Sequence, residues 1–249
     1  MISRVLLDPG GSLFSRVRAL LLAIPTCASC GRGGGALCAQ CQAAAGIGAR
    51  LHCLPQLCGG ATDAAYAVAL YRTTAGALSP VAELLWRFKY CRDRRCGRVL
   101  AHLVARRLPR LEAPVDLVVP VPLSQARLEQ RGFNQAAWLA RAVAKRLDIP
   151  MRPDVLARRP GGTRQVGLRA RQRRALGQRA NPFYARPLPD CGGRVLLVDD
   201  VITTGATVGA AARALKRAGA RRVLALALCA VPYSASPSKW YARPPSVNV

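Results

Sequence analysis

Short apolar runs alternate with stretches of helical periodicity along most of this chain. Ala64 to Tyr71 reads as a strand, with Tyr66, Val68 and Leu70 on one face. Pro80 opens a helix carrying Leu84, Leu85 and Phe88 at helical spacing, and another helix is predicted over Gly97 to Leu108. Asp116 to Val119 is a short apolar strand, and a helix beyond it runs to about Leu147. Val155 to Ala157 and Val223 to Ala227 each read as a further strand, with Val195 to Val198 as the central one. Val208 to Ala218 is an Ala-rich helical pattern. Strands alternating with helices predict an α/β fold, a parallel sheet flanked by helices on both faces. From Pro232 onward Ser, Pro and polar residues dominate, and the expected structure there is a disordered tail, residues 232–249.

Before Ala64 the pattern is different. Cys27-Ala-Ser-Cys30 and Cys38-Ala-Gln-Cys41 are two C-x-x-C pairs with Gly31, Gly33, Gly34 and Gly35 between them. Two such pairs can close a tetrahedral Cys₄ site, so Cys27, Cys30, Cys38 and Cys41 are the candidate ligands of a structural zinc ion. A third pair, Cys53 and Cys58, stands beside His52. It could replace one of the others, share a second site or be plain thiols. The division expected is a cysteine module with a short N-terminal helix over residues 1–60 and an α/β domain over 61–231. Cys91, Cys96, Cys191 and Cys229 read as packing or surface cysteines, and Trp86, Phe88 and Tyr90 as core and rim aromatics.

Composition changes the picture in two ways. No apolar run approaches the roughly 20 residues of a membrane span, which predicts no membrane insertion. The Leu20 to Ile24 run follows Arg16 and Arg18 and ends at Pro25, a first amphipathic helix rather than a signal peptide, so a cytoplasmic protein is expected. The charge is the second point: 38 Lys and Arg against 12 Asp and Glu give +26. Only Lys89, Lys145, Lys216 and Lys239 are lysines. From Val155 to Pro189 there is no acid, while nine arginines from Arg158 to Arg186 fall there. That stretch is either a solvated basic face or an attractor of polyanions, single-stranded nucleic acid among them. Few aromatics accompany it, so base stacking is not written into it.

In so basic a chain the neighbouring acids Asp199 and Asp200 stand out. They close the apolar run Val195 to Val198 and precede Thr203, Thr204, Gly205, Ala206 and Thr207, which feed a helix N-terminus. Backbone N–H groups there, with the helix dipole, favour an anion, and paired carboxylates accept from hydroxyls. A ribose 5-phosphate suits both. The Pro120 to Ser124 loop, with Pro122, Leu123 and Ser124 at its end, follows another predicted strand at the same sheet edge, where open α/β sheets bind ligands. Arg127 and Arg131 follow it, read either as cations of a ligand site or as capping and surface charge. Asn134 and Gln135 read as fixing that loop.

The Val198 to Thr207 segment resembles the phosphoribosyl pyrophosphate (PRPP) signature of type I phosphoribosyltransferases. With the paired cysteines, the Pro-Val-Pro-Leu-Ser loop and the Arg131-Gly-Phe-Asn-Gln135 box, the order of motifs is similar to that of the ComF family, from about Pro25 to Pro232. Thr163 to Leu168 and the pair Arg173-Arg174 match that family's next segment, but Ala175-Leu176 follows and Asn181-Pro182-Phe183 comes late. The resemblance implies a zinc-binding module joined to a phosphoribosyltransferase domain. It implies that Asp199 and Asp200 hold the ribose diol and that Thr203 to Thr207 hold the 5-phosphate; in a catalytic domain the Pro120 to Ser124 loop, with Pro122, Leu123 and Ser124, would present backbone amides to pyrophosphate, with Arg127 or Arg131 as the cationic partner. Mg²⁺ would accompany PRPP, and Asp199, Asp200 and Arg131 would be the catalytic set. The acceptor is not specified. The resemblance also carries an association with natural competence, in which the chain would bind single-stranded DNA and the PRPP pocket would be regulatory or a relic.

Overall fold

A computed structural model of the chain describes residues 26–33, 35–48, 51–57, 60–71, 73–74, 77–108, 114–159, 181–188 and 193–231. Outside them lie the predicted N-terminal helix, Cys58, Cys191, Thr163 to Leu168, the Arg173-Arg174 pair, most of the basic stretch and the expected tail.

The elements run as follows. Helix α1 (Ala39–Ala44) precedes β1 (His52–Cys53), a 3₁₀ turn (Pro55–Leu57) and β2 (Ala64–Leu70). The small hairpin β3 (Thr73–Thr74) and β4 (Ala77–Leu78) leads into α2 (Pro80–Tyr90) and α3 (Arg94–Arg107). Strand β5 (Leu117–Pro120), α4 (Gln125–Arg131), α5 (Gln135–Leu147) and β6 (Leu156–Arg158) follow. Then come β7 (Phe183–Ala185), β8 (Arg194–Ile202), α6 (Ala206–Arg217) and β9 (Arg222–Ala230). The fold is mixed α/β, with a mostly parallel central sheet ordered β1-β2-β9-β8-β5; only β1 is antiparallel to its neighbour.

Three corrections to the sequence pattern follow. The middle strand is β9, not β8, because β2 pairs in parallel along β9's far side. The Val155 to Ala157 run does not join the parallel sheet: β6 pairs antiparallel with β7 as a separate two-stranded unit. Helix α3 starts at Arg94, ahead of Gly97, because the Asp93 carboxylate accepts from the Arg95 and Cys96 amides and caps it there.

Both faces of the sheet are covered. Leu84, Phe88, Leu100, Val104, Leu139 and Val143 of α2, α3 and α5 pack with Val118, Leu196 and Leu226 on one face. Val208, Ala211 and Leu215 of α6, with Phe183 and Leu156, pack on Leu197, Ala225 and Val119 on the other. Cys27, Leu37, Cys38, Cys41, Ala45 and Ile47 of the cysteine module join the first of these cores. Among the described residues no helix is long and apolar enough to cross a membrane.

The crossing of α2 and α3 depends on one residue. A Cβ at Gly97 would collide with the Phe88 ring, which is 1% exposed and lies 4.8 Å from the tilted Phe133 ring and 5.4 Å, edge-on, from Trp138. Gly97→Ala is expected to destabilise the protein by up to roughly 2 kcal/mol, the overpacking cost of about 1–3 kcal/mol being offset by a gain of about 1 kcal/mol in helix propensity. A lower midpoint in urea unfolding checks this.

The chain reverses direction at β5. After α5 it returns along the outer edge of β5, where Val118 bridges Met151 in parallel and donates to Pro150 O at 3.0 Å. Strand β8 instead lies on the inner side of β5. The gap beyond the carboxyl ends of β5 and β8 is therefore a topological switch point, where open α/β sheets form a ligand crevice.

Candidate functional site

β8 outlasts β5. Their last pair is Pro120 with Val198, whereas β8 stays paired to β9 through Ile202. Asp199 and Asp200 thus stand on a strand whose β5 side has opened, at the base of a cavity of about 600 Å³, a volume ordinary for small-molecule sites. The Asp199 carboxylate accepts from the Asp200 amide at 2.8 Å. Burial, and then the charge of Asp200, push the Asp199 carboxyl up to about 8, against the pull of Lys89 and Arg127. Asp200 is paired with Lys89 of α2 at 2.9 Å.

The same cavity is lined by cations. Arg127 and Arg131 stand on α4, a helix that the largely polar run Gln125 to Arg131 does not announce by periodicity. Arg131 is 9% exposed, donates to Gln135 Oε1 at 3.0 Å and lies 5.3 Å from the Tyr90 ring centroid. Its Nε has no hydrogen-bond partner in the described structure, and no carboxylate pairs with it among the described residues. Arg158, at the end of β6, completes the wall, and burial with the nearby Arg127 charge holds its guanidinium below the usual range. Four cationic side chains against two acidic ones suit a ligand rich in negative charge.

Sequence-predicted residues divide here. The cavity wall brings together Asp199, Asp200, Thr203 and Thr207 with Pro122, Leu123, Arg127 and Arg131. Ser124, Thr204, Gly205 and Ala206 stand outside that wall. Gly205 caps α6 with φ 76°, and a Cβ there would collide with Leu57 of the turn after β1. The Thr204 hydroxyl accepts weakly from the Ala206 amide at 3.4 Å. The proline loop offers fewer donors than its length suggests: Pro120 and Pro122 have no N–H, and Val121 donates to Val198 O at 2.9 Å. Leu123 and Ser124 remain. Asn134 steadies this loop, donating to Val121 O at 3.0 Å while its Oδ1 caps α5. Asn181, late in the sequence pattern, donates to Ala210 O at 2.7 Å and so ties β7 to α6.

The sequence pattern passed over Lys89 as a site residue and saw Arg158 only as part of a general basic stretch. Trp86 and Tyr90, read as core and rim, both face the cavity with Tyr71, and only Phe88 of that trio is core. The signal for Lys89 was its rarity among the basic residues.

A second cluster lies in the cysteine module. The sulfurs of Cys27, Cys30, Cys38 and Cys41 all lie within 4.8 Å of one another. Cys30 and Cys38 sulfurs are 3.7 Å apart, close to the ~3.8 Å that tetrahedral zinc–thiolate bonds of about 2.3 Å impose. Burial opposes the Cys27 thiolate, yet the backbone amides of Cys30, Cys38 and Ser29 outweigh it and bring the thiol down to about 6. Cys41 goes the other way, to about 12, through burial and the adjoining Cys38 and Cys30 thiols. The four residues could hold a metal ion such as zinc. Cys53 is exposed in β1, apart from this group.

Comparison with known proteins bears on both clusters. Residues 134–244 match the phosphoribosyl transferase domain. The chain is 33% identical over 159 residues to competence protein F of Haemophilus influenzae, covering 59% of this chain and 66% of that protein. It is 33% identical over 163 residues to DNA utilization protein YhgH of Escherichia coli K12, covering 63% and 70% respectively. Adenine phosphoribosyltransferase of Mycobacterium tuberculosis is 41% identical over 97 residues, 38% of this chain and 42% of that protein. The chain spans about two thirds of the length of its competence and DNA-utilization relatives.

Proposed function

The chain belongs to the ComF family, a group with a phosphoribosyltransferase domain, and on that premise we propose that it binds PRPP with Mg²⁺ in the cleft between β5 and β8. The observation that carries this reading is the juxtaposition of two acids and a set of cations across one cavity, the buried Arg131 guanidinium having an unused N–H. In this reading Asp199 and Asp200 accept from the ribose diol, and Thr203 to Thr207 with the start of α6 hold the 5-phosphate. Leu123, Ser124, Arg127 and Arg131 face pyrophosphate, and Arg158 joins them. Mg²⁺ would supply a hard cation that prefers oxygen ligands and offsets the charge of the bound PRPP.

The reaction that fits is displacement of pyrophosphate from the anomeric carbon by an acceptor nucleophile. Its transition state builds negative charge on the leaving group, which Arg127, Arg131 and Arg158 would stabilise. The acceptor is open. Calorimetry of PRPP with and without Mg²⁺ tests binding, and pyrophosphate release across a panel of bases tests turnover; absence of PRPP heat at every magnesium level defeats the reading. The same proposal places zinc at Cys27, Cys30, Cys38 and Cys41, divides the chain at about residue 60 and sets it in the cytoplasm, a reducing compartment where such thiolates persist.

A specific observation favours nucleic acid as a second ligand. Arg94, Arg98, His102 and Arg106 recur every four residues along α3, and all are exposed. On α5, Arg141 and Lys145 do the same, and neither helix contains an acid. None of these side chains has an ion-pair partner among the described residues. Like charges at this spacing work against the helix, and a phosphate backbone would relieve them. The relatives' names, competence and DNA utilization, point the same way. Arg98→Glu with Arg106→Glu is expected to weaken single-stranded DNA binding and to reduce the slope of log affinity against log salt by about 1.4. PRPP binding should be unaffected. Anisotropy titrations at several salt concentrations check it.

A further inference from the structure

Among the four cations of the cavity, one is different in kind and in place. Lys89 is one of four lysines in a chain with 38 basic residues, and the other three cations of the cavity wall are arginines. It comes from α2, while Arg127, Arg131 and Arg158 come from α4 and β6. Its ammonium meets Asp200 Oδ2 at 2.9 Å, with the two side chains 15% and 14% exposed. The residue before it, Phe88, is locked between Phe133, Trp138 and Gly97, so the lysine starts from an immobile turn.

We propose that Lys89 is the positioning residue of the acid pair, gripping one oxygen of Asp200 and leaving the other free to accept a ribose hydroxyl. This rests on the PRPP reading of the site. The physical reason is the shape of the cation. An ammonium is a compact point charge that satisfies a single carboxylate oxygen, whereas a guanidinium fork takes both in parallel. An arginine at position 89 would close the Asp200 carboxylate to a diol. Among the described residues no second side chain pairs with the Asp200 carboxylate, and its amide donates to Asp199, so Lys89 is the group that fixes that carboxylate in the open strand end.

Lys89 also acts on the neighbouring acid. The titratable and charged groups around Asp199 are Asp200 on its own strand, Lys89, Tyr71 and Tyr90, Arg127 and Arg131 of α4, Arg158 of β6 and Cys229 of β9. Of these, Lys89 and Arg127 draw the Asp199 carboxyl down, against burial and Asp200. Removing the ammonium therefore moves Asp199 further up, and a ligand that needs its ionised form binds only at higher pH.

Two variants separate charge from shape. Lys89→Met keeps most of the stem and loses the charge. It is expected to weaken Mg²⁺-PRPP binding at pH 7 about tenfold, and to move the pH profile of affinity upward by about one unit. Lys89→Arg keeps the charge but closes both oxygens, so affinity falls several-fold while the pH profile stays in place. Thermal melts establish that both variants are folded, and carbon-13 carboxyl titration of the acid pair gives a readout needing no ligand. Wild-type affinity and profile in Lys89→Met overturn the proposal, as do equal losses in both variants with no change of profile, the mark of simple packing. A wild-type protein that binds no PRPP defeats the PRPP reading, and with it the role toward ribose. The hold of Lys89 on the pair then stands or falls by the carboxyl midpoint, which must rise in Lys89→Met.

Discussion

Replacing Asp199 and Asp200 together by asparagine is expected to reduce PRPP affinity by at least a factor of about 10². Asparagine keeps the shape of each side chain and removes its charge. A hydrogen bond to a charged group contributes about 1.5–3 kcal/mol, so above about pH 8, where Asp199 as well as Asp200 is an anion, losing two such bonds to the ribose diol removes about 3–6 kcal/mol, or roughly 10² to 10⁴ in affinity. The cavity itself should survive, because Asp199 already holds a proton at neutral pH, its carboxyl being raised to about 8 by burial and by Asp200. Wild-type affinity should climb as pH rises through about 8, where Asp199 becomes an anion. The double variant should lose that rise. Calorimetry at pH 6, 7, 8 and 9 with fixed Mg²⁺ reads both effects. A double variant that binds like the wild type would place the ribose away from β8.

How much of this was legible in the sequence depends on the range of each interaction. The strand, acid pair, turn and helix from Val195 to Arg217 are consecutive, so local pattern alone orders them, and α6 begins at Ala206. The cysteine cluster is legible for the same reason, since its spacing lies within one short loop. Helix α4 was not. Its seven residues contain one large apolar side chain, the exposed Leu128, and so present no buried stripe. The pairing of β6 with β7 joins segments on either side of residues 160–180, and three-residue strands carry no register signal. Likewise the Lys89–Asp200 pair joins α2 to β8 across more than a hundred residues, a contact that only the packed fold creates. Arginines on α4 and β6 were visible as charge, but their convergence on the acid pair needed the switch point at β5.

Removing the zinc proposed for the cysteine module is the other change expected to have a large effect, on stability first. Leu37 and Ile47 of the module are 7% and 8% exposed and belong to the same core as Leu84, Phe88 and Leu100. Releasing both side chains to water costs about 3–6 kcal/mol at 1.5–3 kcal/mol each, a drop on the order of 10 °C in melting temperature for a domain of this size. The module is also tied to α2 and α3 by polar contacts: Arg87 donates to Ala28 O at 3.0 Å, and Arg95 to the Thr26 hydroxyl at 3.1 Å. Those contacts have no geometry without the turn that the sulfurs close. Cys41→Ser, or a strong chelator, should therefore lower the melting temperature and the zinc content together. Acid should do the same, because the thiols must give up protons to bind a metal and take them back as pH falls. Elemental analysis beside scanning calorimetry checks the link; metal-free protein that melts like the wild type would show that apolar packing alone holds the module. The effect should reach the cleft as well, since Arg87 lies two residues before Lys89 on the last turn of α2, and Leu57, near the end of the module, covers Gly205 at the start of α6. PRPP affinity is expected to fall along with zinc content, before the domain as a whole unfolds.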